Sequence, residues 1–127
     1  MAQDQTRIRI ETSERGLLDI TRNIRRATRG SGVYDGICHV FSKVSEATLF
    51  VGPESEAAVR AELFERLTGE HPGGVLAARA LLVQPSIQVP LTDSKLALGP
   101  EQAIWLWEHE GPAERRLTVS TQGARDS

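Results

Sequence analysis

At 127 residues the chain fits the range of about 100–200 residues typical of one domain, long enough to bury a core without disulfides or a structural metal. Its hydrophobic fraction of 39% and charged fraction of 25% exclude a wholly disordered chain, and its net charge of −2 gives no overall attraction to nucleic acid. A lone cysteine, Cys38, excludes an intramolecular disulfide, and no apolar run approaches the roughly 20 residues of a membrane span. The opening Met1-Ala2-Gln3-Asp4-Gln5 lacks a signal-peptide core, so the expected location is cytoplasmic.

Thr6–Thr12 alternates polar and β-branched residues, which predicts a half-exposed first strand. Gly16 breaks that pattern. Asp19-Ile20-Thr21 then leads into a helix over Arg22–Arg29, with Thr21 as its cap and Gly30 just past its end. From Gly36 to Val44 both alternating phases are apolar, the pattern of a central strand buried on both faces. A second apolar run, Ala47–Val51, ends at Gly52-Pro53.

A helix is predicted from about Glu54 to Thr68, where Val59, Leu63 and Leu67 repeat at one-turn spacing. His71–Gly74 reads as a loop, and the alanines within Val75–Val83 favour helix there. Ser86–Leu91 is a strand, Thr92–Lys95 a turn, and Leu96–Leu98 a short returning strand. Ala103–Glu108 is a strand that places Ile104, Leu106 and Glu108 on one face, with Trp105, Trp107 and His109 on the other. Arg116–Thr121 is the last strand. The order predicts a single α+β domain over 1–127, with a mixed or largely antiparallel sheet, two or three helices, and flexible ends at 1–5 and 122–127.

The three histidines, His39, His71 and His109, show no metal-ligand spacing, and the glycine pairs match no phosphate-binding loop. Cys38 lies in an apolar segment, as an inert buried thiol does. Arg22, Arg25, Arg26 and Arg29 form a helical stripe that reads as a solvated face; one basic helix on an acidic chain is a weak nucleic-acid signal. Trp105 and Trp107 suggest a second core layer or a subunit interface. Glu108 stands on an apolar face, where a carboxylate is either a structural ion-pair partner or a site residue.

The segment order is similar to that of the YjbQ family of small proteins. It is carried by Asp19-Ile20-Thr21 before a helix, Ala47–Val51, Ala80–Ser86, Val89-Pro90, Lys95–Gly99, Gln102-Ala103-Ile104 and Glu108. The resemblance covers about Ile8 to Val119. It implies an α+β homotrimer, some of whose relatives have a weak, secondary thiamine-phosphate synthase activity. The family site contains a His-Thr-Thr-Ala segment and a second histidine in Ala-His-Leu-Lys, and it can hold a metal.

Here the first segment reads Val44-Ser45-Glu46-Ala47, the second histidine falls at Ala77, and Gly-Thr-Trp-Gln reads Gly99-Pro100-Glu101-Gln102. Valine and alanine carry no lone pair for a metal or a proton. The expectation is therefore a divergent YjbQ-like homotrimer without the family's histidine chemistry, with no cofactor, no membrane or nucleic-acid partner and no ligand identified. The alternative is an enzyme with weak thiamine-phosphate synthase-like activity on a rebuilt site. Its candidate residues are Glu108, Ser45 and Gln102, with Glu46 or His71 as a replacement base.

Overall fold

The computed structural model describes residues 2–61 and 84–125. Its elements run β1 (Ala2–Thr12), β2 (Gly16–Asp19), α1 (Thr21–Arg29), β3 (Asp35–Ser42), β4 (Ala47–Pro53), β5 (Ser86–Thr92), β6 (Lys95–Leu96), β7 (Gln102–Glu108) and β8 (Ala113–Ala124). A further helix, α2, occupies 56–61 at the edge of the described residues. The rest of the helix predicted over 54–68 lies outside them, as do the 75–83 segment, His71 and Ala77.

The strands form two antiparallel sheets, one ordered β1-β8-β3-β5-β6 and the other β2-β7-β4. Alternation explains how they pack. Ile10, Val40, Val89, Leu117 and Val119 of the larger sheet join Ala47, Leu49, Ile104 and Leu106 of the smaller one in one buried cluster. Each large aliphatic side chain sealed there contributes about 1.5–3 kcal/mol. Ile20 and Ile24 extend the cluster onto α1, leaving Arg22, Arg25, Arg26 and Arg29 exposed. The outer face of the smaller sheet carries a second layer, in which Val59 of α2 meets Ala103 and Trp105.

Three local expectations change. Ile20, not Thr21, is the N-cap of α1, and Thr21 is its first helical residue. Leu17 and Leu18 belong to β2, a strand too short to show a period; it pairs with β7 through Leu17↔Trp107 and Leu18↔Leu106. The first and last strands are longer than read from sequence: β1 starts at Ala2, where residues 2–5 pair with 120–123 of β8, and β8 runs to Ala124, which pairs with Asp35 of β3.

The fourth difference concerns β3. It is central, but only one of its faces is buried: Ile37 is 46% and Phe41 38% exposed. The registers place uncharged residues directly beside them. Gln3↔Gln122↔Ile37 forms one row, Gln5↔Ser120↔His39↔Gln88 the next, and Arg7↔Thr118↔Phe41↔Ser86 a third, with Arg7 its one charged member at the β1 edge. Apolar patterning marks residues that leave water without saying whether the same chain covers them.

Candidate functional site

The sequence candidates lie at opposite ends of β7. Glu108 ends the strand on its inner face and is 1% exposed. Arg115 of β8 grips it through two bonds, Nε to Oε1 at 2.7 Å and Nη2 to Oε2 at 2.6 Å. Thr12 Oγ1 of β1 donates to Oε1 at 2.7 Å, and the backbone N–H groups of Glu110 and Gly111 donate to Oε2 at 3.2 and 3.1 Å. Five donors meet a group with about four lone-pair directions. The side-chain bonds from Arg115 outweigh the cost of burial and hold the Glu108 carboxyl down at about 2. The carboxylate bolts the smaller sheet to β1 and β8 of the larger one.

Ser45 sits near the same end, in the exposed turn between β3 and β4. Val44, which the resemblance places at the family's first histidine position, is exposed in that turn. Glu46 contributes its backbone carbonyl, which accepts from the His109 N–H at 2.8 Å. His109 is not idle: its Nε2 shares a 2.7 Å hydrogen bond with Thr48 Oγ1, and its ring lies 4.6 Å from that of Trp107. His39 lies on the outer face of the larger sheet beside Phe41.

Among the described residues no group of three or more His, Cys, Asp or Glu side chains is arranged to hold a metal. Valine at 44 and alanine at 77, the positions that the resemblance gives to the family's histidines, carry no lone pair for a metal. Burial pushes the Cys38 thiol up to about 11, which keeps it protonated and unreactive.

Gln102 opens β7, six residues and about 20 Å from Glu108 at the strand rise. It does not meet Glu108. It lines a cleft of about 410 Å³ between the first turn of α1 and the adjoining ends of β4 and β7, with Asp19, Arg22, Arg25 and Glu54. Each wall is fixed. Asp19 Oδ1 accepts from the Thr21 N–H at 2.9 Å and from Thr21 Oγ1 at 2.6 Å, while Thr21 Oγ1 accepts from the Ile104 N–H at 2.8 Å. The Ile20 N–H donates to the Ile104 carbonyl at 2.9 Å, so α1 starts directly against β7.

Across the cleft, the Gly99 N–H donates to Gln102 Oε1 at 2.7 Å, and the Gln102 N–H returns to the Gly99 carbonyl at 3.2 Å. Between them Glu101 takes φ 71, a left-handed conformation rare for a side-chain-bearing residue, and its carbonyl accepts from the Glu54 N–H at 2.7 Å. Trp105 Nε1 donates to the Pro53 carbonyl at 2.7 Å and holds the end of β4 from behind. With Oε1 committed, the Gln102 amide offers its two N–H bonds as donors. Arg22 and Arg25 make no ion pair within 4 Å among the described residues. The sequence reading placed these arginines on a solvated face and left Glu54 out. The available signal was Asp19-x-Thr21, which begins the helix whose first exposed positions they occupy.

The comparisons with known proteins agree with this architecture. The family model for the UPF0047 protein YjbQ-like group matches residues 6–124. A UPF0047 protein of Methanothermobacter thermautotrophicus is 31% identical over 127 aligned residues, covering 90% of this chain and 88% of the relative. A crystal structure of a YjbQ/UPF0047 family protein from Clostridium acetobutylicum superposes with a TM-score of 0.74 at 26% identity, covering 92% of this chain and 99% of that one. A YbjQ-like protein of unknown function from Sulfolobus solfataricus shares the fold, with a TM-score of 0.73 at 23% identity over 96% of this chain and 98% of that chain.

Proposed function

This chain belongs to the YjbQ-like UPF0047 family, and on that premise we propose that it is a divergent member without the family's histidine-based chemistry, acting in the cytoplasm as a homotrimeric ligand-binding scaffold. One observation carries the reading. Glu108, the buried carboxylate at the Val44–Ser45 end, is held ionised by five donors and has no free position from which to move a proton. Among the described residues Ser45 makes no side-chain hydrogen bond to Glu46, the carboxylate beside it in the exposed turn, and Val44 supplies no base. The cleft at Gln102, where donors and charges remain open, is the working site of this reading.

The test is growth. Expressed in a thiamine-requiring strain, the protein is expected to give no rescue under conditions where a histidine-intact relative restores growth. Rescue equal to that relative would overturn the proposal in favour of an enzyme with weak thiamine-phosphate synthase-like activity on a rebuilt site. The observation favouring that alternative is that Gln102 shares its cleft with two carboxylates, Asp19 and Glu54.

The trimeric assembly is supported by the outer face of the larger sheet. Interface centres lose charge and keep apolar anchors, and this face sets Ile37 and Phe41 directly beside glutamine, serine and threonine, with Arg7 at the β1 edge of the Phe41 row and Arg9, Glu11, Glu114 and Arg116 beyond it. Light scattering is expected to give the mass of three chains for the wild type and of one chain for Ile37→Glu/Phe41→Glu. A monomeric wild type would remove the assembly from the proposal.

A further inference from the structure

We infer that the cleft between α1 and the ends of β4 and β7 binds a small phosphorylated molecule, with Arg22 and Arg25 on the phosphate and the opposite wall on hydrogen-bond donors of the ligand's other end. The inference rests on the reading of this cleft as the working site. Arg22 and Arg25 are three residues apart and therefore neighbours on one helical face. Each guanidinium brings five N–H donors in a planar fork, the geometry that matches phosphate oxygens. Neither is paired with a carboxylate among the described residues. The Gln102 amide, locked by Gly99, adds two more donors to the same cleft. Such a concentration of open donors suits a group with several acceptor oxygens.

Two carboxylates share the space, and they set what the rest of the ligand must be. Asp19 gives Oδ1 to Thr21, which offsets part of its charge. Glu54 is exposed, and its backbone, but not its carboxylate, is committed to Glu101. A bare anion gains nothing from either. A phosphate ester whose other end carries hydroxyl groups satisfies both walls, because those hydroxyls donate to the carboxylates. The volume, about 410 Å³, is at the low end of the range for small-molecule sites.

Calorimetry on the full chain with inorganic phosphate and with glycerol 3-phosphate tests the assignment. Both are expected to bind saturably, glycerol 3-phosphate more tightly, and Glu54→Gln is expected to remove that preference. Arg22→Gln/Arg25→Gln is expected to weaken both ligands by about tenfold or more, the loss that goes with a charge-assisted contact. Arg26→Gln/Arg29→Gln removes the same charge from the same helix outside the cleft and is expected to change affinity by less than about twofold. All four arginines are exposed, so circular dichroism should report an intact fold in both variants. Equal weakening in the two double variants would reduce the effect to diffuse attraction and overturn the site, as would the absence of saturable binding. Phosphate binding together with rescue of the thiamine-requiring strain would keep the site and overturn the non-catalytic reading. Absent binding with absent rescue would sink the site alone.

Discussion

Glu108→Gln is expected to cost about 3 kcal/mol of folding stability, because it leaves the guanidinium of Arg115, only 13% exposed, without its counter-charge. The NH2 of the replacing amide also turns donors either toward Thr12 or toward the backbone N–H groups of Glu110 and Gly111, depending on which oxygen it replaces, and all of these donate in the wild type. At several degrees per kcal/mol the melting temperature should fall by about 10 °C. A catalytic Glu108 predicts the reverse, an activity lost with the melting temperature nearly unchanged. Adding Arg115→Met should recover part of the loss, since the damage lies in the orphaned cation. A Glu108→Gln protein that melts within a degree or two of the wild type would refute the bolt.

Acid should act in the same direction. The Glu108 carboxyl is lowered from 4.5 to about 2 in the folded protein. A depressed carboxyl contributes stability that is fully present above the unfolded value and is lost as pH falls through the folded one. Its contribution, about 3 kcal/mol for a shift of this size, is therefore complete above about pH 5 and disappears toward pH 2. Urea midpoints measured across that window should fall more steeply for the wild type than for Glu108→Gln. Parallel curves would show that another carboxylate governs the acid limb.

Glu108 also marks the limit of what sequence order reveals. Alternation along β7 placed it correctly beside Ile104 and Leu106, because side-chain direction has a period of two whatever the partner strand. The donors that settle its role were invisible. Thr12 is 96 residues away, and Arg115 reaches it only after the chain turns into β8. Gln102 could be picked out, but its cleft could not, since the walls come from the start of α1, the end of β4 and the start of β7. In β3 the period was misleading for a different reason. Ile37 and Phe41 are apolar, yet no element among the described residues covers them, and sequence alone cannot distinguish a core from a surface reserved for another molecule.

Gly36→Ala tests how rigidly that central strand is placed. Gly36 lies opposite Gly123 in the β3–β8 ladder. A β-carbon at Gly36 would fall 2.0 Å from the Gln122 carbonyl oxygen and 2.8 Å from the Gly123 α-carbon. Both are backbone atoms, so no rotamer change can clear the space. One at Gly123 would lie 2.1 Å from the Asp35 carbonyl oxygen, and the two glycines thus permit the same close approach from either side. The strands must separate or the ladder must break at its end. The expected cost is about 1–3 kcal/mol for overpacking alone, with lost ladder hydrogen bonds added to it. On the proposed trimer, β3 carries the interface residue Ile37 one position further on, so the same variant should also dissociate at higher protein concentration than the wild type. Denaturant melts and dilution-dependent light scattering measure the two effects on one sample. Unchanged values in both would mean that β3 and β8 can move apart at no cost, and that the close glycine pair does not set their register.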